Sequence, residues 1–383
     1  MSKIGIITIL KVNNYGAELQ AYATQAILNA NGYDAEIIDY LFYKNPLHIR
    51  TPKSKPTFKF GFKKVLAEWG YPIKNYIASA FSKGNDATRK KRFEMFHTDN
   101  TKMSDCYRSI DELYNADLKY DTYVVGSDQV WNPGIYSSLL PYMLAFAPEG
   151  KKKVAYASSF GVSTIEKSQQ EFYKEHLSKF SAISVREKNA VELVKDLSGR
   201  DATWVLDPTL LLNKEEWMKV AKYPYEVKKN YILVYELIPS PYIMELAKAM
   251  SQEKGLAIVR LCKNAAPESK EKGVISITDA GPAEFIGLFA NASMIITNSF
   301  HGTAFSINFE KEFYTVTPLH KQNNSRQQSL LGLFSLNERL LLEGTDINTI
   351  TRTPIDYTQI STIVEREREK SINFLKNAID DKQ

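Results

Sequence analysis

Cysteine is nearly absent. Cys106 and Cys262 are the two present in 383 residues, and no C-x-x-C spacing occurs, so neither a disulfide framework nor a thiolate zinc site is signalled. Histidine is scarce as well. The five present (His48, His97, His176, His301 and His320) are scattered, so a metal site would have to rest on carboxylates, and no metal is expected. No apolar run approaches the ~20 residues that a membrane-spanning helix needs; the longest, Leu139–Ala147, is broken by Pro141. Met1–Leu10 has too short an apolar run for a secretory leader and lacks a small-residue cleavage site, so a cytosolic location is expected. Charge of one sign is not in large excess: the net +5 is a mild bias toward anionic partners and too weak to argue nucleic acid.

What is present is ordinary globular composition, 24% charged and 44% hydrophobic, in a chain long enough that two domains is the default. Lys3–Ile9 reads as a buried β-branched strand, followed by the turn Val12–Ala17, a helix to about Asn29 that ends at Asn31-Gly32, and a strand at Ala35–Tyr40. This β-α-β unit opens a doubly wound sheet. Its first turn holds one glycine, Gly16, in place of G-x-G-x-x-G, so the dinucleotide signal is weak; Asn14 is equally well read as a helix cap.

Residues 44–92 differ in composition. They hold thirteen Lys/Arg against Glu68 and Asp86 alone, a surplus of eleven positive charges, interleaved with Phe58, Phe60, Phe62, Trp69, Tyr71, Tyr76 and Phe81. Two readings stay open: peripheral contact with anionic lipid headgroups, or an insert packed over the first domain, with Pro52, Pro56 and Pro72 forbidding one long amphipathic helix.

Alternation then resumes. Strands are expected at Tyr120–Val125, Val154–Ala157, Ala182–Val185 and Trp204–Leu206, and in a second half at Tyr231–Tyr235, Leu256–Arg260, Ser293–Thr297 and Glu312–Val316. Helices are expected between them, including Pro282–Ala290 with proline in its first turn, and a long charged helix from Tyr357 closes the chain. Polar loops stand at carboxyl ends of the strands, where open parallel sheets bind ligands. Ser127, Asp128 and Gln129 follow Gly126, with Trp131 close by, a set suited to a sugar and equally to local turn chemistry. Arg186 ends a strand where a helix begins, a place for a cation that serves an anion, unless it pairs with a neighbouring carboxylate. In Asn298-Ser299-Phe300-His301-Gly302-Thr303 a strand feeds a helix through a short polar turn, with backbone N–H groups and an imidazole aimed at one point. Lys321 and Arg326 follow a later strand.

Several blocks resemble the polysaccharide pyruvyl transferase family: N-N-Y-G-A-E-L-Q-A-Y-A (13–23), V-V-G-S-D-Q-V-W-N (124–132), I-S-V-R-E (183–187), V-L-D-P-T-L-L-L (205–212), T-N-S-F-H-G-T (297–303) and N-S-R-x-x-S-L-L (324–331). They occur in order over about residues 3–340. The resemblance implies an α/β chain of two Rossmann-like domains facing a cleft in a GT-B-like arrangement, with the C-terminal helix crossing back to the first. The corresponding division is 1–212, carrying the insert 44–100 and completed by 357–383, and 213–356.

The resemblance also implies an enzyme that moves the enolpyruvyl carbons of phosphoenolpyruvate onto two sugar hydroxyls, giving a cyclic ketal and phosphate, with no cofactor beyond that donor. Donor contacts then fall to Arg186, Asn298, Ser299, Phe300, His301, Gly302, Thr303, Lys321 and Arg326, and acceptor contacts to Asn13, Asn14, Tyr15, Gly16, Ser127, Asp128, Gln129 and Trp131. His301 is the candidate acid, Arg186 the anion clamp and Asp128 the base. Many members carry arginine two positions before the histidine, where this chain has Ser299. The partners expected are phosphoenolpyruvate and a sugar acceptor of a surface polysaccharide, as the polymer or its lipid-linked precursor. A nucleotide-sugar glycosyltransferase and a non-catalytic sugar-binding module are the alternatives.

Overall fold

Unbroken apolar runs such as Thr122–Val125 (T-Y-V-V) and Met294–Thr297 (M-I-I-T) bury every side chain in the computed structural model, as strands covered on both faces must. The structure describes residues 1–65, 68, 84–262, 273–319 and 325–380. Seven parallel strands form the first sheet: β1 (Lys3–Ile7), β2 (Asp34–Tyr40), β3 (Met103–Tyr107), β4 (Thr122–Val125), β5 (Lys152–Ser158), β6 (Ala182–Val185) and β7 (Thr203–Trp204), in the order β3-β2-β1-β4-β5-β6-β7. Six more form the second: β8 (Ile232–Tyr235), β9 (Ile258–Leu261), β10 (Val274–Ile277), β11 (Met294–Thr297), β12 (Glu312–Thr317) and β13 (Leu340–Leu342), in the order β10-β9-β8-β11-β12-β13.

Each order reverses once, between β1 and β4 and between β8 and β11, where Ile6 faces Val124 and Val234 faces Ile296 in register. These are the topological switch points at which doubly wound sheets hold ligands. Separate cores sit behind them. Ile7, Tyr123, Val125, Trp131 and Phe160 belong to one, and Ile232, Val234, Ile243, Leu246 and Ile296 to the other. Asn14 caps the helix Tyr15–Ala30 by accepting from Ala17 N at 3.3 Å.

The chain divides into two compact units. Met1–Ser82, His97–Leu211 and Glu367–Gln383 make the first; Lys83–Phe96 and Leu212–Arg366 make the second. The insert 44–100, expected whole in the first domain, is divided between the two units. Its helix Asn85–Asn100 begins with the second unit, because Arg92 donates to the Asp279 carbonyl and carboxylate at 2.9 and 2.8 Å, and the stretch from His97 belongs to the first. The helix Tyr357–Asp380 is divided likewise. Tyr357 donates to Lys311 O in the second unit, whereas Ser371 Oγ accepts from Leu206 N at 3.0 Å, and Leu375 and Ile379 are buried in the first. Among the described residues, no helix is long and apolar enough to cross a membrane.

Candidate functional site

In the second unit the turn after β11 is built by its own side chains. Thr297 donates to Tyr235 O at 2.6 Å and its hydroxyl accepts from Ser299 N at 3.0 Å. Asn298 accepts from Leu237 N at 2.7 Å and donates to Ile238 O at 2.6 Å, stitching β11 to the loop after β8. Ser299 caps the helix Phe300–Asn308: its hydroxyl accepts from Gly302 N at 3.2 Å, and its carbonyl accepts from Thr303 N at 3.0 Å. Burial raises the Tyr235 phenol pKa, and a hydrogen bond with Ser299 pulls it partly back.

Ser299 is therefore a helix cap, buried to 1% exposure, and not a stand-in for a cation. The N–H groups of Gly302 and Thr303 are engaged by Ser299. Thr303 is a core residue whose hydroxyl donates to Ser299 O and meets Thr315 Oγ1 at 2.8 Å. Gly302 is there for space, since a Cβ would overlap the Thr297 side chain.

His301 occupies the first turn of this helix, 7% exposed, with Phe300 edge-on to its ring at 5.3 Å between centroids. Arg326 stands in the first turn of the helix Ser325–Leu333, half-buried. Lys321 lies outside the described residues.

In the first unit the switch point between β1 and β4 is a network. Gln20 accepts from Ser127 N at 2.9 Å and donates to Thr8 Oγ1 at 2.9 Å, and Thr8 donates to Ser127 O at 3.0 Å. The Ser127 hydroxyl lies 2.8 Å from Ala157 O and 3.1 Å from Asp207 Oδ2, so Ser127 is a structural pin, fully buried.

Arg186 is enclosed by three carboxylates. Nη1 donates to Asp207 at 2.7 Å, Nη2 reaches Asp128 at 3.4 Å, and Nε lies 3.6 Å from Glu187. Burial opposes its charge, yet the fields of Asp207, Glu187 and Asp128 prevail and raise its pKa. The cluster carries two more negative than positive charges, so it does not present an open cation to an anion. Within it Asp128 is the accessible member, its side chain 17% exposed against 4% or less for Glu187 and Asp207.

Three of the residues expected at the acceptor are buried: Trp131, Tyr15 and Gly16. Trp131 is fully enclosed, packed on Phe160 and Phe180 and donating its indole N–H to Tyr142 O at 3.0 Å, which leaves no face for a sugar. Tyr15 and Gly16 are buried in the helix that follows β1. Asn13, with φ at 51°, and Asn14 are half-buried at the carboxyl end of that strand, and Gln129 accepts from Asn132 at 2.7 Å. The pairing of Arg186 with a neighbouring carboxylate is the alternative reading of the sequence, and Glu187 supplies it; Asp207 is the member that sequence reasoning misses. Asp207 lies in the quoted V-L-D-P-T block, and its spacing of 21 residues from Arg186 gives no periodic cue. Among the described residues, no group of three or more His, Cys, Asp or Glu is placed to hold a metal.

The profile of the family described as polysaccharide pyruvyl transferase matches residues 14–320. Among curated proteins, none matches the sequence. Among solved structures, the chain is similar to the UDP-GlcNAc 2-epimerase of Neisseria meningitidis bound to UDP-GlcNAc (TM-score 0.51, 10% identity, 99% of this chain and 98% of that one). It is similar also to a putative UDP-N-acetylglucosamine 2-epimerase of Listeria monocytogenes (TM-score 0.52, 11% identity, 99% and 96%). At such identities the likeness shows the fold alone: two parallel-sheet α/β domains of the GT-B kind.

Proposed function

The chain belongs to the polysaccharide pyruvyl transferase family, and from that premise we propose that it moves the enolpyruvyl group of phosphoenolpyruvate onto two hydroxyls of a sugar. The sugar belongs to a surface polysaccharide, as the polymer or a lipid-linked precursor, and the products are a cyclic ketal and phosphate. The observation that carries the reading is the turn after β11. It fixes His301 in the first turn of a helix at a switch point, inside the segment that the family profile covers.

The chemistry assigns the protons. The methylene carbon of the donor gains one proton, which makes C2 electrophilic; the first sugar hydroxyl adds to C2 and gives up its proton; the second hydroxyl adds to C2 as the bond from C2 to the bridging oxygen breaks, and its proton leaves with phosphate. A group that donates near neutral pH suits the first step, and histidine is the usual choice. His301 takes that role, or protonates the departing phosphate. Asp128, the accessible carboxylate of its cluster, is the base for an acceptor hydroxyl, and Arg186 acts through it as a positioning residue. The reaction requires no metal or further cofactor.

His301→Ala is expected to fold with an unchanged circular dichroism spectrum and to lose at least 99% of phosphate release from phosphoenolpyruvate in the presence of acceptor, in line with the ~100-fold or more that a positioned acid contributes. Turnover near that of the unmodified protein removes His301 from the chemistry. Release of a nucleotide from a nucleotide sugar, with no phosphate from phosphoenolpyruvate, selects the glycosyltransferase alternative.

A further inference from the structure

The turn after β11 holds no lysine or arginine, yet the proposed donor carries a carboxylate and a phosphate. A cation stands elsewhere in the same unit, on the inserted helix Asn85–Asn100. That helix is fastened to the carboxyl end of β10. Asn85 donates to Thr278 Oγ1 at 2.7 Å, Arg92 donates to Asp279 and lies 3.5 Å from Glu284, and a Cβ on Gly281 would fall 2.5 Å from Arg92 Cβ. Thr278–Gly281 lead into the helix Pro282–Asn291, whose Phe285 packs on Tyr235 of β8 at 5.1 Å between ring centroids. The insert thus lies against the edge of the sheet at which open parallel sheets hold ligands.

Arg89 is one turn beyond Asn85, and its side chain is 7% exposed. Nη2 donates to Asp86 at 2.7 Å, whereas Nε and Nη1 are buried with no hydrogen-bond partner among the described residues. Asp86 is shared with Lys90 at 3.0 Å. A guanidinium does not shed its proton, and a buried charge with unmet donors is costly unless an acceptor completes it. Planar N–H groups of this kind match the oxygens of carboxylate and phosphate.

We propose that Arg89 is an oxyanion-binding residue of the second unit, receiving a carboxylate or phosphate oxygen on Nε and Nη1. Identification of that anion as the donor rests on the transferase reading; the anion site itself does not. Stability and binding are then expected to move in opposite directions. Removing an ill-matched buried charge relieves the free protein, while loss of a charge-assisted hydrogen bond weakens the anion about tenfold to a hundredfold.

The test is thermal unfolding of the full chain and of Arg89→Met, Arg89→Gln and Arg89→Lys, titrated with inorganic phosphate and with phosphoenolpyruvate. The expected result is an unchanged or higher midpoint for Arg89→Met without anion, loss of the anion-induced rise, and partial retention in Arg89→Lys. A lowered midpoint with an intact anion response shows a structural arginine and overturns the proposal, as does an unmodified protein that neither anion stabilises. Arg89-dependent stabilisation without phosphate release leaves the anion site standing and removes the transferase reading. Phosphate release by Arg89→Met at an unaltered KM for phosphoenolpyruvate leaves the transferase reading standing and overturns the identification of the Arg89 anion as the donor.

Discussion

Ser299 and Arg186 exchange the parts that their residue types suggest. The serine, standing where the family resemblance leads one to expect an arginine, commits its hydroxyl to Gly302 N. The arginine, whose charge suggests an anion clamp, is held by three carboxylates. Ser299→Ala is therefore expected to cost about 1 kcal/mol, the usual worth of an N-cap, seen as a lower unfolding midpoint with phosphate affinity unchanged; a selective loss of anion binding would return Ser299 to the ligand. Arg186→Met leaves Asp128, Glu187 and Asp207 uncompensated in the interior, and a cost of about 3–5 kcal/mol is expected. Urea denaturation measures it, and a cost under about 1 kcal/mol, the scale of an exposed pair, would mean that the carboxylates do not depend on that charge. The capping role of Ser299 is not legible in the sequence, and that of Arg186 is legible only as one of two readings, because Tyr235 and Asp207 are partners that no local pattern ties to them. His301 at a strand-to-helix turn is legible, since an apolar run, a polar turn and a helical spacing succeed one another without interruption.

Strands with both faces buried announce themselves, as Ile232–Tyr235 and Met294–Thr297 do, and their positions match the expectation within a residue or two. The strands that the pattern does not disclose are peripheral. β3 reads M-S-D-C-Y with no residue fully buried, β10 is half-exposed, and β13 spans three residues; an edge or short strand has too little apolar periodicity to be seen. The basic stretch carries features of both of its readings. Seven Lys/Arg and no acid occur over 44–65, and Leu47, Ile49 and Phe62 are 62%, 41% and 75% exposed among them, although Phe58 packs on Phe172 and Tyr173. With about 1 kcal/mol per basic residue near an anionic surface, flotation with phosphatidylserine vesicles is expected, lost at high salt and weakened in Phe62→Ser. Equal recovery with neutral vesicles would leave these side chains as part of a packed insert.

Repetition of βα pairs discloses the two units; it does not disclose how the chain is shared between them. Residues 83–96 and 367–383 each belong to a unit other than the one flanking them in sequence, and no composition shift marks either crossing. The last of these segments is anchored by Ser371 on Leu206, by Tyr33 on Asp380 and by the burial of Leu375 and Ile379. Deleting 367–383 is expected to open the first unit to limited proteolysis at least tenfold faster, corresponding to the several kcal/mol carried by two large apolar side chains and their hydrogen bonds. Unchanged cleavage would show that the helix end is dispensable.

That sharing also sets an order of events on the ribosome. Domains commonly close in the order of their synthesis, the earlier one first. Here every strand of the first sheet has been made by Trp204, but the helix segment that covers it from Glu367 is made after all of the second unit. The later unit has its full complement of residues first. The nascent first sheet therefore waits, incompletely covered, while residues 212–366 are translated, a window in which chaperone engagement is most useful and a translational pause most costly.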